Sequence, residues 1–115
     1  MVKIVFDTYA WIEYFLDTNK ADIVEDYLNQ GEILTPSIVL LELSNKANRD
    51  GWDFKKHLNF IKLNSKIIGF NDEFILGFGE VYNKMKKKIR DFGIADAIVL
   101  NSAKMHEAKI LTGDK

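Results

Sequence analysis

The sequence predicts an α/β fold, a three-layer α/β/α sandwich with a central parallel sheet. Short apolar runs such as Val2–Phe6 and Lys66–Phe70 alternate with longer segments whose apolar residues recur at helical spacing. Strands that alternate with helices imply parallel pairing through right-handed crossovers. The first run, apolar and β-branched, is typical of a central strand buried on both faces.

Local signals place the elements in order along the chain. Gly31 is expected to end the second helix as its C′ residue, and Pro36 suits the first turn of the third helix. Asn71 or Asp72 is expected to cap the helix after the third strand. The predicted strands are Val2–Phe6, Glu32–Thr35, Lys66–Phe70 and Lys109–Asp114. The predicted helices are Ala10–Leu16, Ala21–Leu28, Pro36–Ala47, Asp53–Leu63, Phe74–Met85 with a basic end, and Ile94–His106.

Composition restricts the function classes. The 115 residues suffice for one domain with a hydrophobic core, and 47% of them are hydrophobic. Because 16 basic residues nearly balance 17 acidic ones, nucleic-acid binding would need a local basic patch. The absence of Cys excludes disulfides and thiolate metal sites and suits the cytoplasm, where we expect the protein. The apolar start is too short for a signal peptide, and we expect no membrane association.

Two acidic residues follow predicted strands. Asp7 comes directly after the first strand, and Asp114 lies at the end of the fourth. Ligands of open parallel sheets bind beyond these carboxyl ends. Each residue also has an ordinary structural explanation, since Asp7 could cap the next helix and Asp114 could belong to a turn.

Two further acidic residues interrupt apolar stretches of predicted helices. An ion pair from Glu42 to Lys46 would contribute only about 0.2–0.5 kcal/mol, which would not offset burial of the carboxylate. We therefore expect a stronger partner for Glu42. Asp96 shares a helical face with Val99 and Ala103, where an unpaired carboxylate is rarely tolerated. Its alternative role is a structural hydrogen bond to a nearby backbone cap.

The four acidic residues would meet at one rim of a parallel sheet. Clustered carboxylates repel one another and raise each other's pKa values unless a cation neutralises them. Mg²⁺ and Mn²⁺ prefer oxygen ligands, whereas zinc is disfavoured because His57 and His106 lie away from the predicted strand ends. Such a cluster suits metal-assisted hydrolysis of phosphodiesters by water.

Four segments, in this order, resemble the PIN-domain nucleases and, within them, the VapC-type toxins of bacteria and archaea. They are VFDTYAWIEYF, TPSIVLLELSNKA, GIADAIVLNSAK and AKILTGD. The resemblance implies a PIN-like α/β/α fold and a Mg²⁺- or Mn²⁺-dependent endoribonuclease. By motif position, it implies four catalytic and metal-binding acids and two supporting hydroxyls, which are Asp7, Glu42, Asp96 and Asp114 with Thr8 and Thr112.

The resemblance also implies partners and a domain boundary. Members of the family form homodimers and dock a small antitoxin protein on apolar helical surface near the site. Family members usually continue past TGD to a final edge strand. We therefore expect a single PIN domain over residues 1–115, and either the protein is naturally short or the final strand follows Lys115 outside this sequence. An RNA-processing nuclease without a toxin role and a non-catalytic binding module remain alternatives.

A basic cluster precedes the helix that carries Asp96. It could complement the negative end of a helix dipole, or it could contact RNA phosphates. We call it the basic cluster, and it comprises Lys84, Lys86, Lys87, Lys88 and Arg90.

Other functional classes find less support. Trp11, Tyr14 and Phe15 could stack on bases, but their helical spacing favours a place in the core or an interface. A phosphatase with a nucleophilic aspartate would need a second acid where Tyr9 stands. A dinucleotide-binding fold is disfavoured because no Gly-rich turn follows the first strand.

Overall fold

The computed structural model describes residues 1–112. Within them, four parallel strands form one sheet in the order β3-β2-β1-β4, and six helices flank it. The strands are β1 Lys3–Phe6, β2 Glu32–Pro36, β3 Lys66–Ile68 and β4 Lys109–Leu111. The helices are α1 Thr8–Phe15, α2 Ala21–Gln30, α3 Ser37–Asp50, α4 Phe54–Asn64, α5 Asp72–Lys88 and α6 Ile94–Met105.

The predicted α/β/α architecture is confirmed, and several element boundaries differ. Helix α1 begins at Thr8, earlier than expected, because Asp7 caps it. Pro36 ends β2 in extended conformation and occupies the N-cap position of α3 without a side-chain hydrogen bond, so the prediction that it lies in the first turn of α3 is wrong. Strand β3 stops at Ile68. Strand β4 ends at Leu111, and the rest of its predicted range, from Gly113, lies outside the described residues.

Strand β1 is one of the two inner strands of the sheet. It pairs on both sides, with Val5 opposite Leu34 of β2 and Ile110 of β4. Ile4, Val5 and Phe6 are all buried because helices cover both faces of the sheet. None of the helices in residues 1–112 combines the length and apolar character that crossing a membrane requires.

Trp11 anchors α1 in the core. Its side chain is fully buried, and its Nε1–H donates to the Thr35 hydroxyl at 3.2 Å. The Thr35 and Ser65 hydroxyls bond at 2.9 Å, so this buried polar chain is satisfied. Tyr14 and Phe15 are half-buried beside the indole, at ring-centroid distances of 6.5 and 5.7 Å. The prediction that these three aromatic residues lie in the core or an interface is confirmed for Trp11.

Gly31 ends α2 for a different reason from the one expected. Its backbone is extended, with φ −115°, and does not adopt the left-handed conformation typical of a C′ glycine. Space explains the glycine, since a Cβ would lie 2.7 Å from Cδ1 of Ile4 and 3.1 Å from the carbonyl oxygen of Val2. That carbonyl is fixed because it accepts from the N–H of Glu32 at 2.8 Å.

Replacing Gly31 by Ala should lower the free energy of unfolding by about 1–3 kcal/mol, because the new methyl group overpacks a fixed contact. The matched control is Gly79→Ala on the exposed face of α5, where a Cβ meets nothing within 4 Å. That change should raise the free energy of unfolding by about 0.5–1 kcal/mol through helix propensity. Urea denaturation measures both, and equal stability of Gly31→Ala and wild type would contradict the packing argument.

Candidate active site

Asp7 lies where the chain leaves the central strand. Its backbone N–H donates to the carbonyl oxygen of Leu111 at the end of β4, at 3.2 Å. Its Oδ1 accepts from the N–H of Ala10 at 2.9 Å, so Asp7 is the N-cap of α1. Strand β2 lies on one side of β1, and β4 lies on the other. The strand order therefore reverses at β1, which makes this end of the sheet a topological switch point. The expected N-cap role is confirmed, and it places the carboxylate at the switch point.

Glu42 projects from α3 toward the start of α1. Its Oε1 accepts a hydrogen bond from the Thr8 hydroxyl. Lys46, the simpler partner considered for Glu42, pairs with Asp50 at 2.7 Å. The side chain of Glu42 is exposed, so the burial expected from the surrounding apolar run is wrong. The run is buried on another face of the helix, formed by Val39, Leu43 and Ala47.

Asp96 lies in the first turn of α6. Its Oδ2 accepts from the backbone N–H of Gly93 at 3.0 Å, which is the structural cap bond considered as its alternative role. Its side chain is exposed, not buried as its apolar neighbours suggested. The reason is position: the first turn of α6 borders the cleft at the carboxyl edge, whereas Val99 and Ala103 farther along the helix are buried against the core.

Asp7, Glu42 and Asp96 line one open cleft of about 440 Å³. Three of the four acidic residues predicted for the site therefore border the same cleft. Thr112 directly follows Leu111 and so lies at the same edge of the sheet, while Asp114 is outside the described residues. The remaining walls are formed by Thr8, Tyr9, Ile12, Glu13, Asn45, Lys46, Arg49, Ala95 and Val99.

The donor atoms of the cleft fit a hard divalent cation. Its walls carry carboxylate, hydroxyl and amide oxygens and no imidazole or thiolate. In the described chain, no three His, Cys, Asp or Glu side chains are close enough to make a ready metal group. Mg²⁺ usually keeps several of its waters and binds proteins through one or two carboxylates, so the cleft does not need to supply a complete set of protein ligands.

The sequence argument missed residues that line the cleft. Lys46 and Arg49 recur with Glu42 at helical spacing on α3, and this periodicity was the signal that could have identified them. Glu13 follows Tyr9 and Ile12 in the same way on α1. The basic cluster does not contribute to the walls described.

Part of the basic cluster occupies the last turn of α5. There the cations complement the negative end of the helix dipole. The Nζ of Lys86 also donates to the carbonyl oxygen of Phe92 at 3.4 Å, in the loop before α6. These contacts support the helix-end explanation for Lys86, Lys87 and Lys88.

The family model of the PIN domain matches residues 4–115. No curated protein gives a significant sequence match. VapBC2 from Rickettsia felis, bound to a promoter DNA fragment, superposes with a TM-score of 0.77 at 18% identity, over 96% of this chain and 87% of the other. DNA-bound VapBC from Salmonella typhimurium gives 0.74 at 20%, over 97% and 86%. The sarcin-ricin-loop-cleaving toxin VapC20 from Mycobacterium tuberculosis gives 0.72 at 14%, over 96% and 91%. At these identities the likeness shows a shared fold.

The cap role of Asp7 can be separated from its charge. Asp7→Ala should lower the free energy of unfolding by about 0.5–2 kcal/mol because α1 loses its cap. Asp7→Asn should leave it nearly unchanged, since Asn caps a helix about as well as Asp. Chemical denaturation of the two variants gives the comparison. An Asn variant as unstable as the Ala variant would mean that the charge, not the cap, stabilises this end of β1.

Proposed function

This chain belongs to the PIN domain family, and we propose that it is a metal-dependent endoribonuclease, the toxin of a VapBC-type toxin–antitoxin pair acting in the cytoplasm. The observation that carries the proposal is the convergence of Asp7, Glu42 and Asp96 on one open cleft at the carboxyl edge of the sheet. Family membership supports nuclease chemistry. VapC20, a toxin that cleaves the sarcin-ricin loop, has the same fold, and this supports RNA as the substrate.

The residues of the cleft have defined tasks in this proposal. Mg²⁺ or Mn²⁺, held by Asp7, Glu42, Asp96 and Asp114, would supply an activated water and stabilise charge on the leaving oxygen. Backbone N–H groups hold the carboxylates of Asp7 and Asp96, and the Thr8 hydroxyl holds that of Glu42. Because these donors already hold the carboxylates in place, the carboxylates need little rearrangement during the reaction. Thr112, at the end of β4, is proposed as the second supporting hydroxyl.

A small antitoxin and a second copy of this chain are the proposed protein partners. The Rickettsia felis and Salmonella typhimurium structures are VapBC complexes, which supports the antitoxin. Helix α5 supports the homodimer, since it begins with Asp72 and Glu73 and ends with three lysines, so antiparallel copies would be complementary. An apolar groove of about 190 Å³ runs beside it. The groove is lined by Phe70, Phe74, Ile75, Phe78, Ile94 and Ile98.

The alternative is a binding module without catalytic activity, and two of the hydrogen bonds in the cleft favour it. Asp7 and Asp96 both bond the backbone at helix starts, as a purely structural role would require. Glu42 does not fit that role, because it lies inside α3 and accepts from another helix. An RNA-processing nuclease would use the same cleft, and the presence of an adjacent antitoxin reading frame would separate it from a toxin.

Cleavage of single-stranded RNA should require Mg²⁺ or Mn²⁺ and should stop in excess EDTA. Because water is the nucleophile, the products should carry 5′-phosphate and 3′-hydroxyl ends, which end-labelling and mapping can identify. An Asp96→Asn preparation, purified identically, controls for contaminating nucleases. Activity in excess chelator, or 2′,3′-cyclic phosphate ends, would contradict the proposal.

Asp96→Asn tests the metal-ligand role directly. Asn keeps an oxygen to accept from Gly93, and loss of one like charge relieves repulsion in the cleft, so the metal-free variant should be at least as stable as wild type. Stabilisation by added Mn²⁺ should shrink because ligand-induced stabilisation follows affinity. RNA cleavage should fall by orders of magnitude. Thermal unfolding with and without Mn²⁺ provides the measurement, and a variant that unfolds readily or cleaves like wild type would refute the role.

A further inference from the structure

One wall of the cleft changes charge along α3. Glu42, Asn45, Lys46 and Arg49 occupy positions i, i+3, i+4 and i+7, and all four line the cleft. At a rise of about 1.5 Å per residue, this face runs from a carboxylate to a guanidinium over about 10 Å of helix. The cleft therefore has an acidic centre and a cationic flank.

The cationic flank is fixed at the end of α3. Asp50 accepts from Nζ of Lys46 at 2.7 Å and lies 3.5 Å from Nε of Arg49. Gly51 then turns the chain with φ 77°, and the ring of Trp52 lies 5.5 Å from Nζ of Lys46. The hydrogen bond from Lys46 holds the pKa of the Asp50 carboxyl below its usual range, and the charge of Arg49 adds to this effect.

Local stability does not explain Arg49. Lys46 already gives Asp50 a close partner, and exposed ion pairs contribute little to folding. The Arg49 side chain is 62% exposed and lies at the longer distance, so its guanidinium is available to a ligand in the cleft. A planar guanidinium matches the geometry of a phosphate better than an ammonium does.

We infer that Arg49, with Lys46 beside it, binds a backbone phosphate of the RNA strand, and that Asp50 is a positioning residue for both cations. This inference rests on the proposed nuclease function. Arg49 lies about 10 Å along α3 from Glu42, a distance too long for both to contact the same phosphate. The phosphate bound is therefore not the scissile one but a neighbour of it, and the contact sets how the strand lies across the acidic centre.

The experiment compares three full-length variants with wild type. Arg49→Gln removes the charge, Arg49→Lys keeps it, and Lys62→Gln removes a matched charge from an exposed site on α4 outside the cleft walls. Binding of a labelled 12-nucleotide single-stranded RNA is measured by fluorescence anisotropy in EDTA at several salt concentrations. Arg49→Gln should weaken binding about three- to tenfold. The negative slope of log affinity against log salt should become shallower by about 0.7. The other two variants should keep the wild-type slope.

Cleavage kinetics give an independent readout. A contact to a non-reacting phosphate contributes equally to the ground state and the transition state, so Arg49→Gln should raise KM and leave kcat unchanged. Equal salt slopes for Arg49→Gln and Lys62→Gln, or a lower kcat at unchanged KM, would overturn the inference while leaving the nuclease function intact. A wild-type protein that binds RNA without cleaving it would refute the nuclease function, and the salt slopes would still decide the role of Arg49.

Discussion

The hydrogen bond from the backbone of Asp7 to Leu111 connects the central strand to β4 at the switch point. The same residue caps α1 and so sets where that helix begins. The direction of α1 in turn brings Thr8 within reach of Glu42, which ties α1 to α3. The geometry of the cleft therefore depends on one residue that ends a strand, starts a helix and contributes a carboxylate.

Capping and ligand binding are compatible roles for these carboxylates. A carboxylate has two oxygens with about four acceptor positions, and the backbone bond from Gly93 uses Oδ2 of Asp96. A hydrogen bond of this kind orients a carboxylate, and an oriented carboxylate needs less rearrangement to bind a cation. The structural hydrogen bonds considered from the sequence are therefore compatible with the chemistry proposed for the cleft.

The sequence predicted the α/β/α fold class, most elements and the place of Asp7 at the carboxyl edge of the sheet, because apolar periodicity and capping residues are local signals. It was wrong about the burial of Glu42 and Asp96, since a helical pattern shows which face is apolar but not where the cleft borders the helix. For an RNA contact it considered only the dense charges near Lys86, and it did not consider Lys46 and Arg49 for that role. Only the fold reveals that the spaced cations face the acidic centre.

The pairing of β1 with β4 has a consequence for synthesis of the protein. Val5 pairs with Ile110, so the central strand finds one of its neighbours almost a full chain length later. Contacts between such distant residues close a large loop and form late in folding. On the ribosome, a nascent chain that lacks β4 has no acceptor for the backbone N–H of Asp7. Both sides of β1 can therefore be paired only after the last described strand has been translated, which delays completion of the sheet until almost all of the described chain has been synthesised.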